Sequence, residues 1–153
     1  MKTEDYFQKV IALLEEDRSL KVSLLTLTLR NRKWLETAIR EIRKYKSDFL
    51  KKRRLKKSEL YKFIGYVGNI EFTNKGRGWN SHAHLIVLHH KELDVGKIKN
   101  EWYNLTGCYH VDLRPVEPSI QNSLHSTVSY LTKPKHIIPN ESNETTLQAK
   151  VIV

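Results

Sequence analysis

The pattern of apolar and polar positions divides the first third of the chain into helix, strand and helix. Residues 6–14 place apolar side chains at helical spacing, whereas residues 20–29 alternate apolar and polar positions, which is typical of a half-buried strand. Asn31 is the expected N-cap of a long amphipathic helix. Its apolar stripe begins at Trp34, and basic residues fill the opposite side.

The rest of the chain predicts three further strands and two further helices. In chain order these are a strand over 61–73, a strand over 81–88, a helix over 94–105, a strand over 109–116 and a helix over 118–133. A hairpin loop at 74–78 joins the first two of these strands, and Gly65 and Gly68 predict a bulge before it. Gly107 and Pro134 are the expected stops of the two helices.

This order predicts one α+β domain. With right-handed crossovers, the central β-α-β-β-α-β order is that of a ferredoxin-like (RRM-like) unit, a four-stranded antiparallel sheet backed by two helices. An extra helix precedes the unit, and a C-terminal helix follows it. We expect the domain to span residues 1–138 and residues 139–153 to form a loosely ordered tail, because they are polar up to the last three positions.

Composition excludes several classes of protein. The chain has 153 residues, and 39% of them are apolar and 29% charged, which is a globular composition. No run of apolar residues is long enough to span a membrane or to form a signal peptide. The single cysteine cannot form an internal disulfide. We therefore expect a cytoplasmic protein without a membrane partner.

The net charge of +10 is concentrated in one segment. Residues 30–57 contain thirteen basic and three acidic residues, and the remainder of the chain is neutral. A solvated helix face is one interpretation, but nucleic acid is the favoured partner, because a basic surface releases the counterions of a polyanion. Trp79 is a candidate for base stacking or a buried strand end, and the candidate DNA contacts are Arg30, Arg32, Lys33, Lys51, Lys52, Arg53, Arg54, Lys75, Arg77 and Trp79.

Two histidines separated by one residue provide the first candidate chemistry. His82 and His84 fall in a predicted strand, so both side chains emerge on the same face. Glu71 belongs to the hairpin partner strand and could lie across from them, although the sequence leaves the register open. Two imidazoles and a carboxylate suit a divalent metal, and Mg²⁺ or Mn²⁺ fits a phosphate substrate better than Zn²⁺. Two ordinary surface histidines are the alternative interpretation.

The last predicted helix carries a second candidate group. Tyr130 and Lys133 are three residues apart and are therefore neighbours on one helical face. By itself, Tyr130 could be an ordinary half-buried aromatic residue. It becomes a candidate nucleophile only together with the histidine and glutamate group.

These residues resemble, in type and order, the three motifs of the HUH endonucleases. More narrowly, the chain resembles a single-tyrosine rolling-circle replication initiator of a small prokaryotic plasmid or virus. The segments that carry the resemblance are Thr26-Leu27-Thr28, Glu71, His82-Ala83-His84 and Tyr130-Leu131-Thr132-Lys133. Pro134 departs from the pattern, because many relatives carry another aromatic residue there. A Walker-type motif is absent from the sequence, so no fused helicase is expected.

The resemblance implies a role for each of these residues. Glu71, His82 and His84 would hold Mn²⁺ or Mg²⁺, Tyr130 would attack a DNA phosphate, and Lys133 would assist it. The expected activity is sequence-specific nicking and rejoining of single-stranded DNA through a 5′-phosphotyrosine, without a nucleotide cofactor. The expected substrate is single-stranded or hairpin DNA at a replication origin, with host helicase and polymerase as further candidate partners.

Two other functions remain open from the sequence. The same topology occurs in non-catalytic RRM-like modules that bind RNA or single-stranded DNA, although the RRM signature sequence is not found here. A single-tyrosine transposase would carry the same site in a different biological role. The C-terminal position of the tyrosine argues against a relaxase.

Overall fold

The computed structural model describes residues 3–116 and 146–151. Its elements, in chain order, are α1 (Thr3–Glu16), β1 (Lys21–Thr28), α2 (Leu35–Lys51), β2 (Phe63–Asn74), β3 (Trp79–His89), α3 (Val95–Thr106), β4 (Val111–Val116) and β5 (Thr146–Val151). Two short 3-10 turns, Lys52–Arg54 and Glu59–Lys62, connect α2 to β2. Within these residues, no helix has both the length and the apolar character needed to cross a membrane.

The strands form one antiparallel sheet in the order β4-β1-β3-β2-β5. The prediction of a mixed α+β fold containing four antiparallel strands is confirmed, and β5 is an addition that the sequence analysis did not make. It lies in the segment 139–153, which was expected to be a loosely ordered tail, and its backbone pairs with the outer edge of β2. The predicted helix over 118–133 lies outside the described residues.

One face of the sheet is covered by α2 and α3. Leu25 and Leu27 of β1 are fully buried there in the main hydrophobic core, together with apolar residues of β2 and β3. Phe49 of α2 and Trp102 of α3 meet edge to face, with their ring centroids 5.2 Å apart. This contact joins the two helices over the same side of the sheet.

The opposite face is covered by α1 only near one end. Val10 of α1 belongs to a second apolar cluster with Val22, Val67, Ile86 and Leu88 of the three central strands. Because side chains alternate along a strand, the positions two and four residues after Val22 and Val67, and two and four residues before Ile86, lie on the same face. Those positions are mostly polar, in contrast to the apolar cluster beneath α1.

The long helix begins later than the sequence pattern indicates. Asn31 was expected as its N-cap, but α2 begins at Leu35 with Trp34 at the N-cap position. Instead, Asn31 Nδ2 donates a hydrogen bond to the Arg77 carbonyl at 3.1 Å. The Arg32 backbone also exchanges two hydrogen bonds with a residue of β3, at 2.9 and 2.6 Å. These long-range bonds hold the segment extended and delay the start of the helix.

Other predicted backbone signals are confirmed. Gly107 ends α3 with a φ of 75°, as predicted, and the structure adds a cap at the start of that helix, where the Asp94 side chain accepts a hydrogen bond from a first-turn N–H at 3.2 Å. The register of β2 shifts between Phe63 and Gly65, where a bulge was predicted. At Gly68, an added Cβ would lie only 2.3 Å from a leucine methyl of β3, so the strands pass too closely there for a side chain.

One lysine of α2 does not lie on a solvated face. The sequence pattern placed the basic residues of this helix on its exposed side, yet Lys46 is only 2% exposed. Burial, followed by the nearby charge of Arg43, lowers the pKa of Lys46 to about 8. The basic side of α2 is therefore not entirely solvated, because Lys46 is buried.

Candidate active site on the open face of the sheet

The register of the three central strands brings the predicted metal-binding residues together. His82 of β3 lies directly opposite Glu71 of β2 on one side and Thr28 of β1 on the other. His84 lies two positions along the same strand, opposite Thr26. The sequence left the register of these two strands open, and the structure places Glu71 directly beside the histidine pair.

Both imidazole rings are held by threonine hydroxyls. Thr26 Oγ1 is hydrogen-bonded to His84 Nδ1 at 3.1 Å, and Thr28 Oγ1 is hydrogen-bonded to His82 Nδ1 at 2.9 Å. His84 Nε2 is 3.1 Å from Glu71 Oε2. The two rings are stacked, with centroids 5.9 Å apart. A partner on Nδ1 fixes the orientation of an imidazole and leaves Nε2 as its ligand atom.

The site is a partly enclosed cavity rather than an exposed patch. Glu71 and His84 are 7% and 8% exposed, whereas His82 is half-buried. The cavity has a volume of about 440 Å³, and its walls are formed by Leu24, Thr26, Thr28, Glu71, His82, His84, Asp112 and Arg114. A reactant would therefore meet His82 at the open side and the buried carboxylate behind it.

The edge strand β4 contributes two residues to the site that were not predicted from the sequence. Asp112 pairs in register with Thr26, and Arg114 lies two positions further along the same face. Arg114 Nε donates to Asp112 Oδ2 at 2.7 Å. The two residues are two positions apart in the predicted strand over 109–116, and this spacing already indicates that their side chains share one face. A guanidinium beside this cavity suits a phosphate group.

The donor set fits a divalent metal, although the side chains do not yet enclose one. In residues 3–116 and 146–151, no group of three or more histidine, cysteine, aspartate or glutamate side chains is arranged to hold an ion. The contact of His84 Nε2 with Glu71 Oε2 already joins one imidazole to the carboxylate. The oriented imidazoles and the carboxylate are donor types that such ions accept.

The predicted DNA contacts separate into two clusters. The near cluster consists of Arg30, Arg32 and Lys33, all exposed before the start of α2. Arg30 donates to the Gly107 carbonyl at 3.3 Å, and Arg32 pairs with a glutamate of α2 at 2.8 Å. This cluster adjoins the hairpin loop, where Lys75 is also exposed.

The far cluster, Lys51, Lys52, Arg53 and Arg54, lies at the other end of α2 and includes the last residue of that helix. Lys51 pairs with an aspartate of that helix at 3.6 Å, and the Arg53 guanidinium lies 4.9 Å from the centroid of the Tyr66 ring. Because α2 has 17 residues, about 25 Å of helix separates the two clusters.

Three further residues of the predicted site have different outcomes. Trp79 was predicted either to stack on a base or to be a buried strand end. It is half-buried at the start of β3 and packs against the main core, which agrees with the second prediction. Tyr130 and Lys133 lie outside the described residues, and their roles remain predictions.

Fold and site together define an α+β protein whose open sheet face carries a histidine pair beside basic clusters. The chain belongs to the replication-associated protein ORF2 family, because a model of that family matches residues 22–135, which is most of its length. It is thus a replication-initiator-like protein, and its family implies contact with origin DNA. Every residue of the predicted site falls within the matched range.

Among solved structures, a similar one is the crystal structure of the hypothetical protein ORF119 from Sulfolobus islandicus rod-shaped virus 1. The sequence identity is 17%, the TM-score is 0.48, and the alignment covers 86% of this chain and 97% of that chain. No curated protein sequence matches this chain significantly.

Proposed function

We propose that the protein is an endonuclease that nicks and rejoins single-stranded DNA at a replication origin. The observation that carries the proposal is the group of Glu71, His82 and His84 on the open sheet face, in a chain of a replication-associated family. Phosphate chemistry needs a site that can neutralise the charge of the phosphate. A buried carboxylate beside two oriented imidazoles can hold a cation for that purpose.

Each residue of the cluster has a separate task. Glu71, His82 and His84 would hold Mn²⁺ or Mg²⁺, while the hydroxyls of Thr26 and Thr28 keep both imidazoles in the required orientation. When bound, the ion would withdraw charge from the scissile phosphate and help to align it. The buried position of the carboxylate excludes water from one side of the site.

Tyr130 supplies the nucleophile in this proposal. Its Oη would form a bond to phosphorus, the bond from phosphorus to the 3′ oxygen would break, and the released 3′ oxygen would take up a proton. A tyrosine hydroxyl ordinarily has a pKa of about 10, so a cation such as Lys133 beside it would favour the reactive phenolate. The roles of both residues rest on the resemblance to HUH endonucleases.

The covalent product explains why no nucleotide cofactor is needed. A 5′-phosphotyrosine retains the energy of the original phosphodiester, so attack by a 3′-hydroxyl restores the DNA and frees Tyr130. We place this activity in the cytoplasm of a prokaryotic host. We also propose that the strand order β4-β1-β3-β2 is that of a ferredoxin-like unit, with the helix that carries Tyr130 beyond it.

The test is a search for the covalent adduct. The protein is incubated with Mn²⁺ and a pool of single-stranded and hairpin oligonucleotides, and adducts are separated on a denaturing gel. Tyr130→Phe should abolish the adduct while DNA binding persists. Tyr61→Phe is the matched control, because Tyr61 is 51% exposed and lies away from the site, and it should form the adduct normally. Adduct formation by Tyr130→Phe would refute the assignment.

The same experiment separates the enzyme from a binding module. A non-catalytic module would shift the mobility of DNA without cutting it, with or without metal. For the proposed enzyme, His84→Ala should abolish cleavage and leave binding largely intact. Cleavage that persists in His84→Ala would remove the histidines from the mechanism.

A further inference from the structure

Trp34 is exposed at the start of α2, where the sequence pattern had placed it in the buried stripe. Its residue surface is 61% exposed, and the Lys33 ammonium lies 5.1 Å from the centroid of its ring. A large aromatic side chain in this position gains little from the core. An exposed indole beside a cation is the arrangement on which nucleic acid bases stack, since every base has a face that can pack on it.

Two cavities that share lining residues lie between Lys33, the neighbour of this tryptophan, and the candidate active site. The first cavity, of about 510 Å³, is bordered by Lys33 and by Arg77 of the hairpin loop. The second, of about 250 Å³, is bordered by Arg77 and by His82 of the site. Asn31 borders both cavities, so they are adjacent, and together they are called the groove below. The described residues that border them include no acidic side chain.

The hairpin loop is fixed against the segment before α2. Trp79 and Arg32 exchange two backbone hydrogen bonds, at 2.6 and 2.9 Å. Gly78 has a φ of +93°, and a Cβ there would lie 2.9 Å from the Arg32 carbonyl oxygen. Only glycine permits this close approach. The groove walls are therefore held in place by the backbone before any ligand binds.

Two asparagines line the end of the groove beside His82. Asn80 Nδ2 donates to Asn31 Oδ1 at 2.6 Å, and Asn31 Nδ2 donates to the Arg77 carbonyl. Asn80 Oδ1 is buried and has no hydrogen-bond partner within the described residues. Because Asn80 borders the cavity beside His82, a hydrogen-bond donor on a ligand in that cavity would supply the missing partner once the amide turns towards it. The N–H groups on the edge of a nucleobase are such donors.

We propose that this groove guides single-stranded DNA to the active site, with one base stacked on Trp34 and another read by Asn80 in the cavity beside His82. The inference rests on the proposed function, because the strand it guides is the strand that is cut. Stacking accepts any base, whereas a hydrogen bond to a base edge distinguishes among bases. Trp34 would thus supply affinity, and Asn80 would supply sequence preference.

Tryptophan fluorescence tests the groove without requiring cleavage. Single-stranded oligonucleotides are titrated into the full chain in the presence of a metal chelator, and both quenching and affinity are measured. Trp34→Ala should remove most of the quenching and weaken binding roughly 5- to 150-fold, the range expected for one stacked base. Tyr61→Ala, which removes an exposed aromatic side chain elsewhere, should bind like the unaltered protein.

Asn80 is tested with oligonucleotides that differ at a single position near the cut. Asn80→Ala should reduce the difference in affinity among these oligonucleotides, whereas Trp34→Ala should weaken all of them alike. Unchanged quenching and affinity in Trp34→Ala would overturn the groove assignment, and unchanged base preference in Asn80→Ala would overturn the role of the amide. If DNA is still cut in either case, the proposed function stands. If the unaltered protein binds no single-stranded DNA, the groove proposal fails, and the adduct assay decides the proposed function separately.

Discussion

Replacing Lys46 with methionine should stabilise the protein in a way that depends on pH. Lys46 is 2% exposed, and its burial, together with the charge of Arg43, lowers its pKa from 10.5 to about 8. Each pKa unit corresponds to about 1.4 kcal/mol, so the charged lysine costs the folded state about 3 kcal/mol. Because the unfolded chain holds this proton more tightly, the cost is present below pH 8. It disappears as the pH rises from about 8 to 10.5.

The assay is urea unfolding at several pH values between 7 and 10.5. Lys46→Met keeps the length of the side chain and removes its charge, so it should raise the free energy of unfolding by up to about 3 kcal/mol at pH 7. That gain should shrink towards zero near pH 10.5. At each pH, the difference in unfolding free energy between the two proteins reports on Lys46 alone. The tyrosines and the cysteine titrate in both proteins, so their contributions cancel.

Lys44→Met is the matched control on the same helix. The Lys44 side chain is 68% exposed and lies 3.5 Å from Asp48, so its replacement should change stability by no more than about 0.5 kcal/mol at any pH. If Lys46→Met were less stable than the unaltered protein at pH 7, or if its gain were the same at every pH, the buried charge would not carry the cost described.

Three further substitutions test the site and the scaffold. Thr28→Val keeps the shape of the side chain but removes the hydroxyl that holds His82, so affinity for Mn²⁺ measured by calorimetry should fall about 10- to 100-fold with the circular dichroism spectrum unchanged. Gly68→Ala should lower the free energy of unfolding by about 1–3 kcal/mol, since its Cβ would lie 2.7 Å from the His84 carbonyl oxygen. Asp94→Ala removes the cap of α3 and should cost about 1 kcal/mol in chemical unfolding.

Local patterns in the sequence were sufficient to predict most of the scaffold. The alternation of Leu25 and Leu27 with Thr26 and Thr28 identified β1 and its buried face correctly, because side-chain direction along a strand depends only on the backbone period. The end of α3 followed from the glycine stop at Gly107, which acts within a few positions. The same local rule placed the two histidines on one face.

Features that depend on contacts between distant segments could not be predicted in this way. The register of Glu71 against His82 depends on how the whole hairpin pairs. The hydrogen bond from a threonine hydroxyl to the Nδ1 atom of His82 depends on a third strand, β1. Trp34 was assigned to the wrong surface because the bridge between Arg32 and β3 keeps the chain extended before α2. The burial of Lys46 likewise depends on tertiary neighbours, which the helical period does not reveal.

The bulge in β2 determines where this protein can change length during evolution. Inserting one residue between Thr26 and Thr28 would reverse the face of every later side chain in that strand and would turn a threonine towards the core. The offset between Phe63 and Gly65 lies before Glu71 in the chain, so a change of length in the connection from α2 can be absorbed there without moving the glutamate. Related chains should therefore vary in length ahead of the bulge and keep a fixed spacing from it to Glu71.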